Sequence, residues 1–378
     1  MGNFITHIGM DTDKKGYDIA IAEGFGSDNQ EVRSWGRIPA NPESLRKLVR
    51  QLRAKGHTRL RFVYEAGPCG YTPYRQLKAE GVECAVIAPS MIPVKPGERV
   101  KTNRRDAIKL ARLDRSGELT EVNVPEEGDE AMRDLVRGRG ASVEAATRIK
   151  LQIKGLLLRH GLTYTGTGER WSWQYRIWLK TIKFEHPAQN FVLQEWLVAL
   201  SEAETRVERL TEQIKELLPK WRMYEVVKAL QALRGVALLS AVGVVAEVGD
   251  MTRFKNPREL MAYLGLVPSE HSTGEKRRLG SITKTGNIRA RQTLVESAWA
   301  YSKRPQLTRA LQARQKGLSG EVIQISWKAQ VRLCSRYKKL TSRGKSTRKA
   351  VVAVARELCA FMWAIAKAVE TNKPQQAV

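Results

Sequence analysis

Short strand-like and helix-like segments alternate in the N-terminal part of the chain, and this order limits the possible folds more than any other feature. Three apolar strands separated by turn-forming residues come first, and two helix–strand pairs follow. The predicted strands are Phe4 to Met10, Tyr17 to Ala22, Glu31 to Arg37, Leu60 to Glu65 and Glu83 to Ile87. Helical patterns over 41–55 and 71–80 connect the last three of them.

The resulting order, β-β-β-α-β-α-β, is that of a ribonuclease-H-like α/β domain. We assign this domain to residues 1–125. Its first three strands are expected to form an antiparallel meander, because only short turns separate them.

Two long helices without proline dominate the next part of the chain. They are predicted over 131–160 and 191–218, with apolar residues near heptad spacing. We expect them to pair as a helical coiled-coil region over 126–222. The aromatic residues that connect them are expected to form a local core rather than a base-stacking platform; they include Trp171, Trp173 and Trp178.

The last part, 223–378, is expected to be mainly helical, so the fold class is α/β plus all-α. A Gly-containing turn at 233–237 precedes a helix of small residues that ends at 247–250. This pattern fits half of a helix-hairpin-helix, whose turn presents backbone N–H groups to a phosphate, and fits a plain packing element equally well.

A large positive charge indicates a polyanionic partner. The chain of 378 residues has 65 Lys and Arg against 39 Asp and Glu, a net charge of +26. From Glu270 to Val378 there are 23 Lys and Arg against six acids. Nucleic acid is the expected partner, because solvated surfaces normally mix both signs.

Cysteine spacing and hydropathy predict a cytoplasmic protein. The four cysteines show neither C-x-x-C pairing nor zinc-ligand spacing, which fits a reducing compartment. The longest apolar stretch, 350–369, contains Arg356, Glu357 and Lys367, and a membrane span tolerates such charges poorly. We therefore expect no membrane partner.

Three acids are candidates for one metal site. Asp11 and Glu65 each end a predicted strand, where side chains project into a common crevice, although either alone could be a surface acid. Asp106 opens a helix and shares a face with Asn103, Leu110 and Leu113. An acid on an apolar face requires a cation or an ion pair.

Oxygen ligands of this kind suit Mg²⁺, which could activate an attacking oxygen and neutralise a phosphodiester. Phosphoryl transfer is the expected reaction class. Arg104 and Arg105 flank Asp106 on other helix faces, where they are available to bind phosphate.

The motifs together resemble the DEDD transposases of insertion sequences, which are relatives of the Piv DNA invertases. Nearly the whole chain takes part in the resemblance. The motifs are Ile8-Gly9-Met10-Asp11, Tyr64-Glu65-Ala66, Lys101 to Ala107, Tyr263 to Gly274 and Gly280 to Asn287.

This resemblance implies a DNA recombinase with a RuvC-like domain, an oligomerising coiled-coil region and a C-terminal transposase domain. It implies that a serine attacks DNA to give a phosphoserine linkage beside bound Mg²⁺, and Ser272 matches that serine. Donor and target DNA and an element-encoded guide RNA are the implied partners. A homodimer or homotetramer acting at the nucleoid of a bacterium or archaeon is expected.

The loop around Ser272 is rich in cations that could hold a phosphate: Lys276, Arg277, Arg278 and, further on, Lys284. Serines in basic loops are usually only exposed, so the motif match carries this assignment. Thr273 and Ser281 are alternative nucleophiles, and His271 is a candidate proton acceptor.

The sequence departs from the family at Asn103, which stands where the third of four acids is expected. An amide oxygen can bind Mg²⁺ but has no charge, so three carboxylates would remain. Asp114, two helical turns beyond Asp106, is a candidate substitute. A nuclease or junction resolvase that uses water, and a nucleic-acid-binding protein without catalysis, are the alternative functions.

Overall fold

The computed structural model describes residues 5–23, 32–93, 102–167, 171–270, 272–273 and 278–371. The chain divides into two compact units, Met1–Val124 and Pro125–Val378. None of the helices in these ranges combines the length and the hydropathy that a membrane span requires.

The first unit is a five-stranded mixed sheet with helices on both faces. Its elements are β1 (Ile5–Thr12), β2 (Gly16–Glu23), β3 (Arg33–Pro39), α1 (Pro42–Ala54), β4 (Arg59–Glu65), α2 (Thr72–Ala79), β5 (Glu83–Ile87) and α3 (Asn103–Arg115). The strand order is β3-β2-β1-β4-β5. β1, β2 and β3 pair antiparallel, whereas β4 is parallel to both β1 and β5. The predicted element order and meander are confirmed, and the mixed sheet is consistent with a ribonuclease-H-like fold.

Because successive side chains of each strand point to opposite sides, the two faces of the sheet carry different residues. Ile8 and Met10 of β1 pack with Phe62 and Tyr64 of β4 in the core that contains α1. The opposite face presents small residues, of which Ala20 packs against α3. Because successive side chains point to opposite faces, Gly9 and Asp11 belong to the face that α3 covers.

The second unit is built mainly from helices. They are α4 (Glu127–Arg159), α5 (Trp173–Thr181), α6 (Pro187–Leu217), α7 (Tyr224–Leu230), α8 (Leu238–Val248), α9 (Pro257–Tyr263), α10 (Ile288–Ala298), α11 (Arg309–Gln315), α12 (Gly320–Ser342) and α13 (Thr347–Thr371). Two short strands, β6 (Pro268–Glu270) and β7 (Leu279–Ile282), form an antiparallel pair that the sequence pattern did not predict.

The two long helices α4 and α6 pack along each other, as expected. The aromatic connector contributes to their shared core, where Tyr175 is buried and Trp171 and Trp178 pack beside it. Trp173 is the exception, since 72% of it is exposed. The connector is therefore largely a local core.

The turn between α7 and α8 is a packing element. Gly235 has φ of 79°, and a Cβ there would lie 2.2 Å from the carbonyl oxygen of Ser297. Only glycine permits this contact with α10. The apolar segment 350–369 lies within α13 and forms part of the largest core of the unit.

Candidate active site

Asp11 and Glu65 occupy adjacent positions on neighbouring parallel strands. Met10 is paired with Tyr64, so the next residue of each strand places Asp11 beside Glu65. Neighbouring strands lie about 4.8 Å apart, and both side chains project from the face that α3 covers. The structure thus places these two acids at the same end of the sheet, as the sequence predicted.

Gly9 determines how closely α3 approaches this face. A Cβ at Gly9 would lie 2.1 Å from the carbonyl oxygen of Ala107 and 2.5 Å from the backbone nitrogen of Ala111. Both alanines are fully buried. The missing side chain of Gly9 therefore allows the backbone of α3 to contact β1 directly.

This contact places the first turn of α3 at the same end of β1 as Asp11. Asp106 immediately precedes Ala107 and is half-buried, while Asn103 is exposed. Asn103 Nδ2 donates a hydrogen bond to Asp13 Oδ2 at 3.3 Å. Leu110 is buried further along α3, which confirms the helix face predicted from the spacing.

The acids do not form a ready ligand cluster. Among the described residues, no group of three His, Cys, Asp or Glu side chains is arranged to hold a metal ion. Asp11, Glu65 and Asp106 therefore share one end of one face of the sheet without converging on a common point.

Two further acids at this end of the sheet escaped the sequence analysis. Asp18 lies directly opposite Asp11 on β2, and Arg37 Nη1 donates to its carboxylate at 2.6 Å. Arg37 Nη2 donates to Asp13 at 2.5 Å. This hydrogen bond, together with backbone N–H groups of Lys15 and Gly16, lowers the pKa of Asp13 to about 2.

Asp114 is engaged elsewhere and is not placed to substitute for the missing acid. It lies near the other end of α3 from Asp106 and is 7% exposed. Its carboxylate accepts hydrogen bonds from His7 Nδ1 at 2.6 Å and from Arg61 Nε at 3.1 Å. This arrangement is a buried ion-pair network within the first unit.

Ser272 lies in the connection between β6 and β7 and is exposed. Its Oγ donates a hydrogen bond to Glu270 Oε1 at 2.8 Å and accepts one from the backbone N–H of Arg278 at 3.2 Å. A hydroxyl held between an N–H donor and a carboxylate has its proton directed toward a base. Sequence reasoning missed Glu270.

Comparison with known proteins identifies the family of the chain. A family model of IS110 DEDD transposases matches residues 8–161, and a model described as the transposase IS116/IS110/IS902 family matches residues 227–312. A putative transposase of Sinorhizobium fredii is 47% identical over 95% of this chain and 88% of its own length. The chain belongs to the IS110 transposase family.

More distant relatives support the same assignment. The transposase of insertion sequence element IS1533 from Leptospira borgpetersenii is 28% identical over 91% of this chain and 99% of that protein. The transposase of element IS1111A from Coxiella burnetii is 29% identical over 60% of this chain and 62% of that protein. The protein is thus a DNA transposase, and DNA is its substrate.

The predicted nucleic-acid-binding residues of the transposase are exposed where the structure describes them. Arg104 and Arg105 lie in the first turn of α3, and Arg278 and Lys284 lie before and after β7. The predicted residues Lys276 and Arg277, and the candidate acceptor His271, lie outside the described residues. Both alternative nucleophiles, Thr273 and Ser281, are exposed.

Lys284 has a left-handed backbone, with φ of 58°. Close contacts fix the loop that carries it. A Cβ at Gly286 would lie 1.9 Å from the carbonyl oxygen of Tyr263. Arg291 Nη1 donates to the carbonyl oxygens of Leu264 and Thr285, at 2.8 and 2.7 Å. The transposase therefore holds the backbone of this lysine in a conformation that residues other than glycine rarely adopt.

Proposed function

We propose that the transposase cuts and rejoins the DNA strands of an insertion sequence through a covalent phosphoserine at Ser272. The hydrogen bond from Ser272 Oγ to Glu270 carries this proposal. When Oγ attacks a phosphodiester, an Oγ–P bond forms and the P–O bond to the leaving sugar oxygen breaks. Glu270 takes the serine proton, and the sugar oxygen takes a proton from water.

Rejoining reverses these steps. A sugar hydroxyl attacks the phosphoserine and gives its proton to water as the new P–O bond forms. The Oγ–P bond breaks, and the Ser272 oxygen recovers its proton from Glu270. One carboxylate can serve both directions because it changes from base to acid between them.

We further propose that Asp11, Glu65, Asn103 and Asp106 hold Mg²⁺. The chemistry of the donors suits this ion, because three carboxylates and one amide oxygen are hard ligands, and the hydrogen bond from Asn103 Nδ2 to Asp13 leaves its Oδ1 for a cation. Because the side chains share one end of the sheet without converging, they would have to turn toward the ion when it binds. When bound, the ion supplies positive charge that stabilises a phosphodiester under attack. Arg104 and Arg105 bind the DNA backbone beside it.

Within this proposal, residues 1–125 carry the metal site, 126–222 mediate assembly as a homodimer or homotetramer, and 223–378 carry the serine. An element-encoded RNA guides the protein to donor and target DNA, and it works at the nucleoid in the cytoplasm. The net charge of +26 supports binding to both nucleic acids. Sequencing the RNA that copurifies with the protein tests the guide.

Trapping the protein on DNA tests the serine. Wild type and Ser281→Ala, which removes an exposed serine from β7, are expected to give a denaturant-resistant adduct, and Ser272→Ala is expected to give none. An adduct that persists in Ser272→Ala refutes the assignment. Cleavage without any adduct in all three proteins identifies a nuclease that uses water instead.

Calorimetric titration with Mg²⁺ tests the acidic site independently of DNA. Asp11→Asn and Glu65→Gln are expected to weaken binding strongly, because each removes one of three proposed charged ligands. Glu43→Gln is the control, since Glu43 lies in the first turn of α1 on the other side of the sheet. Equal Mg²⁺ affinity in all variants would exclude these ligands.

A further inference from the structure

A cavity of about 160 Å³ opens in the second unit where α4, α6, α8 and α10 meet. Apolar residues such as Val136 and Val242 form part of its wall. Three arginines and one acid supply its charged groups: Arg137, Arg139, Arg289 and Glu247. The cavity is several times the volume of one water molecule, about 30 Å³.

The single acid, Glu247, accepts hydrogen bonds from one of the arginines and from an asparagine. Glu247 is 4% exposed and accepts two hydrogen bonds from Arg137, from Nε and Nη2, both at 2.8 Å. Asn287 Nδ2 donates a third at 2.6 Å. Burial raises the pKa of Glu247, but these hydrogen bonds lower it below its ordinary value. Glu247 therefore balances the charge of Arg137.

Arg139 has no such counter-ion among the described residues. It is half-buried, and its Nε donates to the neutral hydroxyl of Thr211 at 2.7 Å. Burial lowers the pKa of its guanidinium. A charge that is partly withdrawn from water without a counter-ion is unfavourable, so the charge of Arg139 itself does not stabilise the fold.

Arg289 adds a second weakly compensated charge. Its Nη1 lies 3.6 Å from Glu144 Oε1, and the Glu144 side chain is 65% exposed, so water weakens this ion pair. Gly140 leaves room for the guanidinium, since a Cβ there would lie 3.1 Å from Nη1. The walls of the cavity therefore carry a surplus of two positive charges.

We propose that this cavity binds a phosphate group in the backbone of a nucleic acid on which the transposase acts. Guanidinium groups match phosphate oxygens in geometry and charge, and an anion here supplies the charge that Arg139 and Arg289 lack. The residues that line the cavity include neither Ser272 nor any acid of the first unit. This proposal rests on the DNA transposase activity of the family and does not depend on the phosphoserine proposal.

Binding measurements on the full chain test the cavity. Arg139→Gln and Arg289→Gln are compared with Arg209→Gln, which removes an exposed arginine from α6 that does not line the cavity. Each protein is titrated with a short DNA duplex and with a single-stranded RNA at several salt concentrations. The cavity variants are expected to bind about tenfold more weakly, with a salt slope reduced by about one.

The two nucleic acids separate the possible sources of the phosphate. An equal loss on both probes indicates a shared backbone site, and a loss on one identifies that nucleic acid as the ligand. Affinities and salt slopes for both probes equal to those of Arg209→Gln overturn the proposal.

Thermal melting separates a binding role from a structural one. Without nucleic acid, Arg139→Gln is expected to melt at the same or a higher temperature, because it removes an uncompensated charge. Inorganic phosphate is expected to raise the melting temperature of wild type above that in sodium chloride at matched ionic strength, and to have no such effect on Arg139→Gln. A lower melting temperature in Arg139→Gln with unchanged nucleic-acid affinity would make Arg139 structural and refute the site.

Discussion

The left-handed backbone of Lys284 provides a quantitative test of the link between strain and DNA binding. Its φ of 58° persists because Gly286 contacts the carbonyl oxygen of Tyr263 and because Arg291 holds the carbonyl of Thr285. A residue with a Cβ in this conformation costs about 1–2 kcal/mol relative to the right-handed region. Lys284→Gly removes this cost and leaves the loop contacts in place.

The gain is partly offset in the unfolded chain. Glycine has more unfolded conformations than lysine, which subtracts about 0.4–1 kcal/mol. The difference of these two ranges gives a net stabilisation by Lys284→Gly of about 0–1.6 kcal/mol, with a midpoint of about 0.8 kcal/mol. For a domain near 250 residues, 1 kcal/mol shifts the melting temperature by about 2–4 °C, so we expect a rise of about 1–4 °C.

Melting curves and DNA titrations of two variants check this reasoning. Lys284→Gln keeps the backbone strain and loses the charge. It is therefore expected to have the melting temperature of wild type and to bind DNA more weakly. Lys284→Gly is expected to lose the same affinity while melting at a higher temperature. A Lys284→Gly protein that melts below wild type would refute the strain argument, and one that binds DNA like wild type would refute the role of the lysine.

Four further substitutions test the proposed metal site, the proposed catalytic serine and two packing contacts of the fold. Gly9→Ala is expected to destabilise the first unit by at least about 3 kcal/mol in urea denaturation, because the new methyl group overlaps the backbone of α3. Glu270→Gln is expected to slow formation of the DNA adduct by about 10²-fold, since the amide cannot accept the serine proton. Asn103→Asp is expected to tighten Mg²⁺ binding about tenfold in calorimetry by adding a charged ligand. Glu247→Gln is expected to lower the free energy of unfolding by about 1–3 kcal/mol at neutral pH, because it removes the charge that accepts two hydrogen bonds from Arg137.

Each of these outcomes has a control or a contrary result. Gly155→Ala changes a helical glycine with open space around it and should leave stability unchanged or slightly raised, so a loss equal to that of Gly9→Ala would remove the packing argument. Adduct formation at the wild-type rate in Glu270→Gln would exclude it as the base. Unchanged Mg²⁺ affinity in Asn103→Asp would place residue 103 outside the ligand set.

The pH dependence of the Glu247 contribution follows from its lowered pKa. A carboxylate with a depressed folded pKa stabilises the protein above its unfolded value, about 4.3, and loses this contribution as the pH falls through the folded value. Denaturation of wild type and Glu247→Gln should therefore differ least in acid. A constant difference between pH 7 and the acid limit would show that charge is not the cause.

The sheet was readable from sequence because its strands have strong apolar patterns and its strand ends are marked by acids. This order was enough to place Asp11 and Glu65 in a common crevice at the strand ends, whereas their side-by-side position required the pairing of β1 with β4. The position of Asp106 on the buried face of α3 followed from helical periodicity. These features depend on local patterns, which a single sequence displays.

Cross-strand and inter-element contacts were not readable in this way. Asp18 lies opposite Asp11 because of strand register, and Asp13 meets Asn103 because α3 crosses β1 at Gly9. The hairpin β6–β7 lacks apolar alternation, so Glu270 was missed although it lies two residues before Ser272. The proposal of Asp114 as a substitute ligand was wrong, because helical periodicity cannot show that His7 and Arg61 bind its carboxylate from the sheet.

The contacts at the base of α4 have a mechanical consequence. This helix of 33 residues is about 50 Å long, and Arg133 and Arg137 near its start are hydrogen-bonded to Ala246 and Glu247 of α8. Glu247 also holds Asn287, whose side chain caps α10. Glu247 therefore joins the start of α4 to the start of α10, next to the loop that carries Lys284. A shift of α4 along α8 would have to break these hydrogen bonds before it could leave the Lys284 loop unchanged.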